Sequence, residues 1–189
     1  MKNILFVNAC VRPESRTYDL AKAVLSHLDG EVQTVDLNTA RIPVLDGDAL
    51  EQRNAHLKRG ELNAPMLSYA NQFALADTIV IAAPYWDLMF PALLKIYFEA
   101  ITVSGVTFRY NEHGIPVSLC QAKRLIYVTT AGGPIGEYDF GFQYVNAIAR
   151  GFFGIPDVHC IKAEGLDIIG ADVKAILDDA KTTAAALLR

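Results

Sequence analysis

Three short segments of the chain collect residue types that could do chemistry. The first, called here the hydroxyl segment (residues 8–17), contains Ser15 and Thr17, with Arg12 and Arg16 close by. A helix start offers free N–H groups and a partial positive charge, so it favours a phosphate group. Ser and Thr are also ordinary N-terminal capping residues, which leaves a plain helix start open. The segment lacks the glycine patterns of P-loops and of dinucleotide-binding Rossmann domains, which disfavours both.

The second segment, the aromatic segment (residues 84–91), has three aromatic residues and a methionine between two prolines. It reads Pro84-Tyr85-Trp86-Asp87-Leu88-Met89-Phe90-Pro91. Such a surface is flat and polarisable, and a planar aromatic ring is its natural partner. The peptides between the prolines keep N–H groups that could donate to a ring nitrogen. The alternative is that these side chains only cover the end of a sheet.

The third segment, the glycine segment (residues 129–138), reads Thr129-Thr130-Ala131-Gly132-Gly133-Pro134-Ile135-Gly136-Glu137-Tyr138. Glycines let a backbone approach a ligand closely. Gly132 and Gly133 keep their N–H groups while Pro134 has none, so these two are candidate donors toward developing negative charge. The alternative is a simple turn between a strand and a helix.

Alternating apolar runs and helical periods surround these segments. The predicted strands are 4–7, 31–37, 78–83, 125–130 and 158–163, and the predicted helices are 17–29, 49–58, 66–76, 91–101, 138–151 and 171–188. Alternating strands and helices favour parallel βαβ units. We therefore predict an α/β fold: a three-layer, doubly wound, flavodoxin-like sheet of five parallel strands in the order 2-1-3-4-5. Residues 106–118 interrupt the alternation and predict a small β-hairpin.

The predicted fold brings the three segments together. In an open parallel sheet, ligands bind outside the carboxyl ends of the strands, where the strand order reverses. The hydroxyl, aromatic and glycine segments follow the first, third and fourth predicted strands. We therefore expect one binding crevice with three walls.

Composition excludes several classes of protein. The chain has 189 residues, 52% hydrophobic and 20% charged, which favours one folded domain over residues 1–189. The net charge is −4 with scattered lysines and arginines, so a nucleic-acid partner is not expected. No apolar stretch approaches the roughly 18–20 residues that span a bilayer, so membrane insertion is not expected either.

The cysteines and histidines indicate neither disulfides nor a metal site. Three cysteines lie far apart, at positions 10, 120 and 160, without Cys-x-x-Cys spacing. The four histidines have no partners at ligand spacing, so we expect no metal. Free cysteines are typical of a reducing compartment, and we predict a cytoplasmic protein.

Four stretches together resemble a known family. They are Pro84-Tyr85-Trp86-Asp87-Leu88-x-x-Pro91-Ala92-Leu93-Leu94-Lys95, Gly105-Val106-Thr107-Phe108-Arg109-Tyr110, Thr129-Thr130-Ala131-Gly132-Gly133 and Ala163-Glu164-Gly165-Leu166. They are similar to the corresponding parts of FMN-dependent NAD(P)H:quinone oxidoreductases and azoreductases, in the same order and over nearly the whole chain.

The resemblance implies a homodimer with FMN at each of two interface sites. It also implies ping-pong chemistry: NADH or NADPH gives a hydride to flavin N5 and leaves, and a quinone or azo compound is then reduced by two electrons in the same place. The phosphate positions would be Cys10, Ser15, Arg16 and Thr17. The ring positions would be Tyr85, Trp86, Asp87, Leu88, Thr130, Ala131, Gly132 and Gly133. We expect the N–H groups of Asp87–Leu88 to face flavin N5 and those of Gly132–Gly133 to face the N1/O2 edge.

Chemistry of this kind is carried by the flavin, and no catalytic side chain is expected beyond a possible lid at Tyr138. The chain departs from the family at three points: Cys10 stands where relatives often carry Ser, Asp87 where azoreductases often have Asn, and Thr130-Ala131 where they usually have Ser-Arg. Because of the Thr130-Ala131 pair, azo reduction is less strongly indicated than quinone reduction. The alternatives are a flavodoxin-type electron carrier and an FMN reductase that acts on other acceptors.

The helix predicted from Pro91 supports the dimer independently. Its apolar residues surround most of the helix, and Lys95, Glu99 and Thr102 form only a narrow polar stripe. A helix that covers one face of a sheet needs only one apolar face. The additional apolar surface suggests a twin helix across a two-fold axis.

Overall fold

The strands and helices form where runs of apolar residues and helical periods predict them, in a computed structural model that describes residues 1–188. Arg189, the last residue of the predicted domain, lies outside this range. The strands are β1 (Asn3–Asn8), β2 (Glu31–Asp36), β3 (Thr78–Ala82), β4 (Phe108–Tyr110), β5 (Pro116–Ser118), β6 (Arg124–Thr130) and β7 (Asp157–Ala163). The helices are α1 (Arg16–Leu25), α2 (Gly47–Lys58), α3 (Ser68–Leu75), α4 (Ala92–Ile101), α5 (Phe140–Gly151) and α6 (Val173–Leu187).

Five strands form one parallel sheet in the order β2-β1-β3-β6-β7. Alternate side chains of a strand point to opposite faces, and β1 shows this clearly. Ile4 and Phe6 pack with α1 and α6, whereas Leu5 and Val7 pack with α3, α4 and α5. The predicted three-layer fold and the order 2-1-3-4-5 are therefore confirmed, with β6 and β7 as the fourth and fifth strands of the sheet.

The predicted hairpin is also present. β4 and β5 pair antiparallel, with Arg109 opposite Val117. Asn111 bonds to the backbone of Ile115, and Gly114 has a φ of 71°, a left-handed conformation that favours glycine. The hairpin stands apart from the five-stranded sheet.

Several predicted boundaries were wrong because side-chain hydrogen bonds end the elements. α1 stops at Leu25 rather than residue 29, because the hydroxyl of Ser26 donates to the Ala23 carbonyl at 2.7 Å and the next residues form single turns. β2 stops at Asp36 rather than residue 37, because the Asp36 carboxylate accepts the N–H of Asn38 at 2.9 Å. α5 starts at Phe140 rather than Tyr138, because the Asp139 carboxylate accepts the N–H of Phe142 at 3.1 Å. Smaller shifts of one or two residues occur at most other element ends.

The helices are of ordinary length. The longest within residues 1–188 is α6, with 15 residues, and no helix in this range combines the length and the apolar character needed to cross a membrane. The same residues contain no group of three or more His, Cys, Asp or Glu side chains placed to hold a metal ion.

Candidate functional site

A cavity of about 510 Å³ lies at the carboxyl ends of β1, β3 and β6, where the sheet order reverses. All three segments singled out from the sequence contribute to its walls. The predicted residues that line it are Ser15, Arg16, Thr17, Tyr85, Trp86, Thr130, Ala131 and Gly132. The predicted residues Cys10, Asp87, Leu88 and Gly133 belong to the same loops but do not line this cavity.

The start of α1 forms one end of the cavity. Ser15 caps the helix, and its hydroxyl accepts the N–H of Tyr18 at 3.2 Å. Thr17 is buried, and its Oγ1 lies 2.6 Å from Oγ1 of Thr130. This hydroxyl pair ties the hydroxyl segment to the glycine segment. A helix start fixed in this way is a suitable binding site for a phosphate group.

This end of the cavity contains side chains of both charges, two arginines and three carboxylates. Arg12 and Arg16 line the cavity, and so do the acidic residues Glu14, Asp19 and Asp167. Arg16 donates to the Asp167 carboxylate at 2.7 Å and to the Leu166 carbonyl at 3.3 Å. A phosphate bound here would therefore share Arg16 with Asp167.

The loop after β7 is the wall that sequence reasoning missed. It contributes Leu166 and Asp167 to the cavity. Two signals could have found it. This loop also follows the carboxyl end of a strand of the sheet, and Leu166 ends one of the four stretches that resemble the family.

Cys10 lies behind the cavity wall. Its thiol is 3.8 Å from the carbonyl of Ala82, its N–H donates to Asn8 Oδ1 at 3.0 Å, and its carbonyl accepts from Asn38 Nδ2 at 2.8 Å. Burial raises the pKa of the Cys10 thiol to about 11. In this arrangement Cys10 holds the hydroxyl segment in place as a neutral thiol.

The aromatic segment contains a tight reverse turn. Trp86 and Met89 exchange two backbone hydrogen bonds of 2.9 and 2.7 Å. Asp87 and Leu88 between them have φ values of 49° and 68°, the geometry of a two-residue hairpin turn. For residues other than glycine this conformation costs roughly 1–2 kcal/mol each. Within residues 1–188 neither of their N–H groups has a protein acceptor, so both remain available to a ligand.

Tyr85 links the aromatic segment to the glycine segment. Its N–H donates to the carbonyl of Thr130 at 3.0 Å, and its hydroxyl donates to the carbonyl of Tyr138 at 3.0 Å. Desolvation, together with the carboxylates of Asp139 and Glu164, raises the pKa of Tyr85, so it stays a donor at neutral pH. The ring of Tyr138 is exposed beside this contact.

The loop after β7 also supports the glycine segment. Three N–H groups of this loop donate to three successive carbonyls: Gly165 to Gly133 at 3.2 Å, Leu166 to Ala131 at 3.2 Å, and Asp167 to Gly132 at 2.9 Å. The N–H groups of Gly132 and Gly133 have no protein acceptor in the described part of the chain. A Cβ at Gly132 would press on the Asp167 carboxylate and displace it from Arg16.

The arrangement fits the cofactor that the sequence resemblance implies. One end offers a helix start, hydroxyls and a guanidinium for a phosphate group. The other end offers the aromatic surface of Tyr85 and Trp86 and the free N–H group of Gly132. The free N–H groups of Gly133, Asp87 and Leu88 belong to the same two loops, next to the lining. FMN requires both kinds of contact at once.

Comparison with known proteins gives one consistent family. A family model described as "Flavodoxin-like fold" matches residues 2–188. The FMN-dependent NADH:quinone oxidoreductase 2 of Clostridium acetobutylicum is 39% identical over 191 residues, covering 94% of this chain and 93% of that protein. The FMN-dependent NADH:quinone oxidoreductase of Lachnoclostridium phytofermentans is 38% identical over 193 residues, covering 97% and 96%.

A solved azoreductase structure from Bacillus anthracis superposes with a TM-score of 0.86 at 26% identity, over 100% of this chain and 99% of that one. Sequence and structure therefore agree over nearly the full length. The chain belongs to the flavodoxin-like family that includes the FMN-dependent NADH:quinone oxidoreductases.

Proposed function

We propose that this chain is an FMN-dependent NADH:quinone oxidoreductase, folded as one domain over residues 1–189 and active in the cytoplasm. The names of its relatives support the activity. The observation that carries the proposal is the cavity, whose lining combines a capped helix start with Tyr85, Trp86 and Gly132. Further free backbone N–H groups, those of Asp87, Leu88 and Gly133, lie in the same loops next to this lining.

The three segments would hold FMN at its two ends. Ser15, Arg16 and Thr17 would bind the phosphate, with Cys10 keeping their loop in place. The aromatic segment from Tyr85 to Leu88 and the glycine segment from Thr130 to Gly133 would hold the ring. When bound, FMN supplies the hydride-transfer chemistry. The protein supplies position, N–H donors and exclusion of water, and needs no nucleophile or general base of its own.

Exposed apolar side chains beside the cavity suit flat, oxidisable or reducible substrates. Trp86, Leu88 and Tyr138 are 37%, 46% and 57% exposed. A nicotinamide ring and a quinone can each stack on such a surface. Because both would occupy the same surface, they cannot bind at the same time and must bind in turn. This supports a ping-pong order, with NADH or NADPH as donor, Tyr138 as a lid, and azo compounds as further acceptors.

The outer face of α4 supports a homodimer. Leu94, Tyr97 and Phe98 are buried under the helix, while Leu93 and Ile96 on its outer side remain partly exposed. These two line a groove of about 220 Å³. A second copy of the chain packed along this face would bury them.

Anaerobic stopped-flow kinetics tests the activity. We expect NADH to bleach the visible absorbance of the reconstituted protein, and a benzoquinone added afterwards to restore it. Steady-state rates at several NADH and quinone concentrations should give parallel double-reciprocal lines. A flavin that one-electron donors reduce but neither NADH nor NADPH reduces would instead identify an electron carrier.

A further inference from the structure

The glycine segment depends on other parts of the protein for its position. It contains glycines at 132, 133 and 136, and a backbone so rich in glycine loses much entropy when it is fixed. Within residues 1–188, two side chains bind the backbone of its second half. The Tyr85 hydroxyl binds Tyr138, and the Glu164 carboxylate binds Ile135, whose N–H donates to Oε2 at 3.1 Å.

Glu164 uses its two carboxylate oxygens for two different partners. While Oε2 accepts the Ile135 N–H, Oε1 accepts from Lys162 Nζ at 2.5 Å. Burial alone would raise the pKa of Glu164, but the hydrogen bonds from Lys162 and Ile135 outweigh it and hold the pKa below its ordinary value. The carboxylate is therefore ionised at neutral pH, and Lys162 balances its charge beside the site.

The contact with Ile135 lies where it can control the free donors. Ile135 is 2% exposed, so its side chain is already held in the interior. Its N–H comes two residues after Gly133, and Pro134 between them has no N–H to contribute. The bonds from Leu166 and Asp167 hold the two peptides that carry the Gly132 and Gly133 N–H groups. The bond at Ile135 anchors the segment just beyond them, so it limits how far these N–H groups can turn away from that orientation.

We propose that Glu164 is a positioning residue of the cofactor site, which holds the glycine segment through Ile135 and so sets the affinity for FMN. Glu164 is not part of the cavity lining, so it acts through the backbone rather than by contact. The inference rests on the proposed function, because it assumes that FMN is the group the glycine segment binds.

Three substitutions at Glu164 separate its geometry from its charge. Glu164→Ala removes the acceptor, and Glu164→Asp keeps the charge on a side chain one methylene shorter, which withdraws the carboxylate from Ile135. Both should raise the Kd for FMN about tenfold, which corresponds to about 1.4 kcal/mol. Glu164→Gln keeps an acceptor oxygen, and its Kd for FMN should lie within about threefold of the wild-type Kd.

Glu137→Ala is the matched control, since Glu137 lies exposed in the same segment and has no hydrogen-bond partner within residues 1–188. Its Kd for FMN should equal that of the wild type.

Amide hydrogen exchange of the protein without FMN tests the Ile135 contact directly, independently of cofactor binding. We expect the Ile135 amide to be protected in wild type and in Glu164→Gln, and to exchange at least tenfold faster in Glu164→Ala and Glu164→Asp. An unprotected Ile135 amide in wild type overturns the inference even if no variant folds. Folded Ala and Asp variants with wild-type exchange and wild-type Kd overturn it as well. Failure of wild type to bind FMN while Ile135 is protected would instead refute the proposed function.

Discussion

At the scale of single residues, Cys10 shows how burial decides chemistry. A thiol in a loop beside a ligand cavity is a candidate nucleophile, but Cys10 is only 5% exposed. Thiols react as thiolates, and burial raises the pKa of Cys10 to about 11. Burial likewise raises the pKa of Cys120 and that of Cys160 to about 12. All three cysteines are therefore expected to be inert in the native protein.

Alkylation followed by mass spectrometry checks this expectation. At pH 8, iodoacetamide should leave the native protein unmodified over the time in which it labels three cysteines of the chain unfolded in guanidinium. Rapid labelling of native Cys10 would show that the thiol is more exposed or more acidic than its packing implies.

The same shifts give stability a definite dependence on alkaline pH. The folded pKa of Cys10 lies above the ordinary value of 9.0, so the unfolded chain ionises first as pH rises. The contribution of the buried thiol is complete below about pH 9 and is lost as the pH approaches 11. Chemical denaturation at pH 8 and pH 10.5 should give the lower free energy of unfolding at pH 10.5. In Cys10→Ala, the free energy of unfolding should decrease less between pH 8 and pH 10.5 than in the wild type.

Residue types in the sequence indicated much of this site but not its charge balance. Ser15 and Thr17 at the start of a helix form a local pattern, as do Tyr85 and Trp86 after a buried strand. Asp167 could not be found in that way, because its partner Arg16 lies 151 positions earlier in the chain. Only the fold brings the two together.

At the scale of elements, the turn formed by Asp87 and Leu88 is strained. Both have left-handed φ values, and such turns prefer asparagine or glycine. The strain is retained next to the cavity wall formed by Tyr85 and Trp86, where the N–H groups of Asp87 and Leu88 have no acceptor within residues 1–188. Strain of this kind often occurs at functional sites.

Leu88→Gly should relieve part of this strain. We expect a gain of about 1 kcal/mol in stability and a rise in Tm of roughly 2–4 °C for a domain of this size. Leu88→Ala keeps a Cβ in the same backbone conformation and should show no such gain. Equal melting temperatures for the Gly and Ala variants, measured by differential scanning calorimetry, would contradict the strained turn.

The positions of the strands and helices were predictable from the sequence, but several of their ends were not. Short runs of apolar residues mark β3 and β6, with Ile79-Val80-Ile81 in the first and Leu125-Ile126-Tyr127-Val128 in the second. The ends depend on individual hydrogen bonds, such as the Asp36 carboxylate that closes β2 and the Asp139 carboxylate that starts α5. Periodicity does not reveal which polar side chain turns back to the backbone.

At the scale of the whole molecule, the outer face of α4 is the surface for which a partner is proposed. Leu93 and Ile96 lie there beside Ile42 and Leu37, around the groove of about 220 Å³. A dimer across this face would bring two copies of α4 together and would bury these side chains more completely.

Sedimentation equilibrium tests the dimer. The wild-type mass should be twice the 20.7 kDa of one chain. Ile96→Glu places a charge in the proposed interface and should give a monomer that remains folded. Leu75→Glu is the control, because Leu75 is 56% exposed on α3, and it should stay dimeric. A wild-type mass of one chain would refute the proposed dimer.

The binding of FMN to purified protein tests the central claim most directly. Calorimetric titration should give one FMN per chain, and riboflavin, which lacks the phosphate, should bind at least tenfold more weakly because the start of α1 then has no anion to hold. Arg16→Ala should weaken FMN binding more than riboflavin binding, so that the two Kd values come closer together. A wild-type protein that takes up no FMN at micromolar excess, or that binds riboflavin and FMN equally well, would contradict the assignment of this cavity.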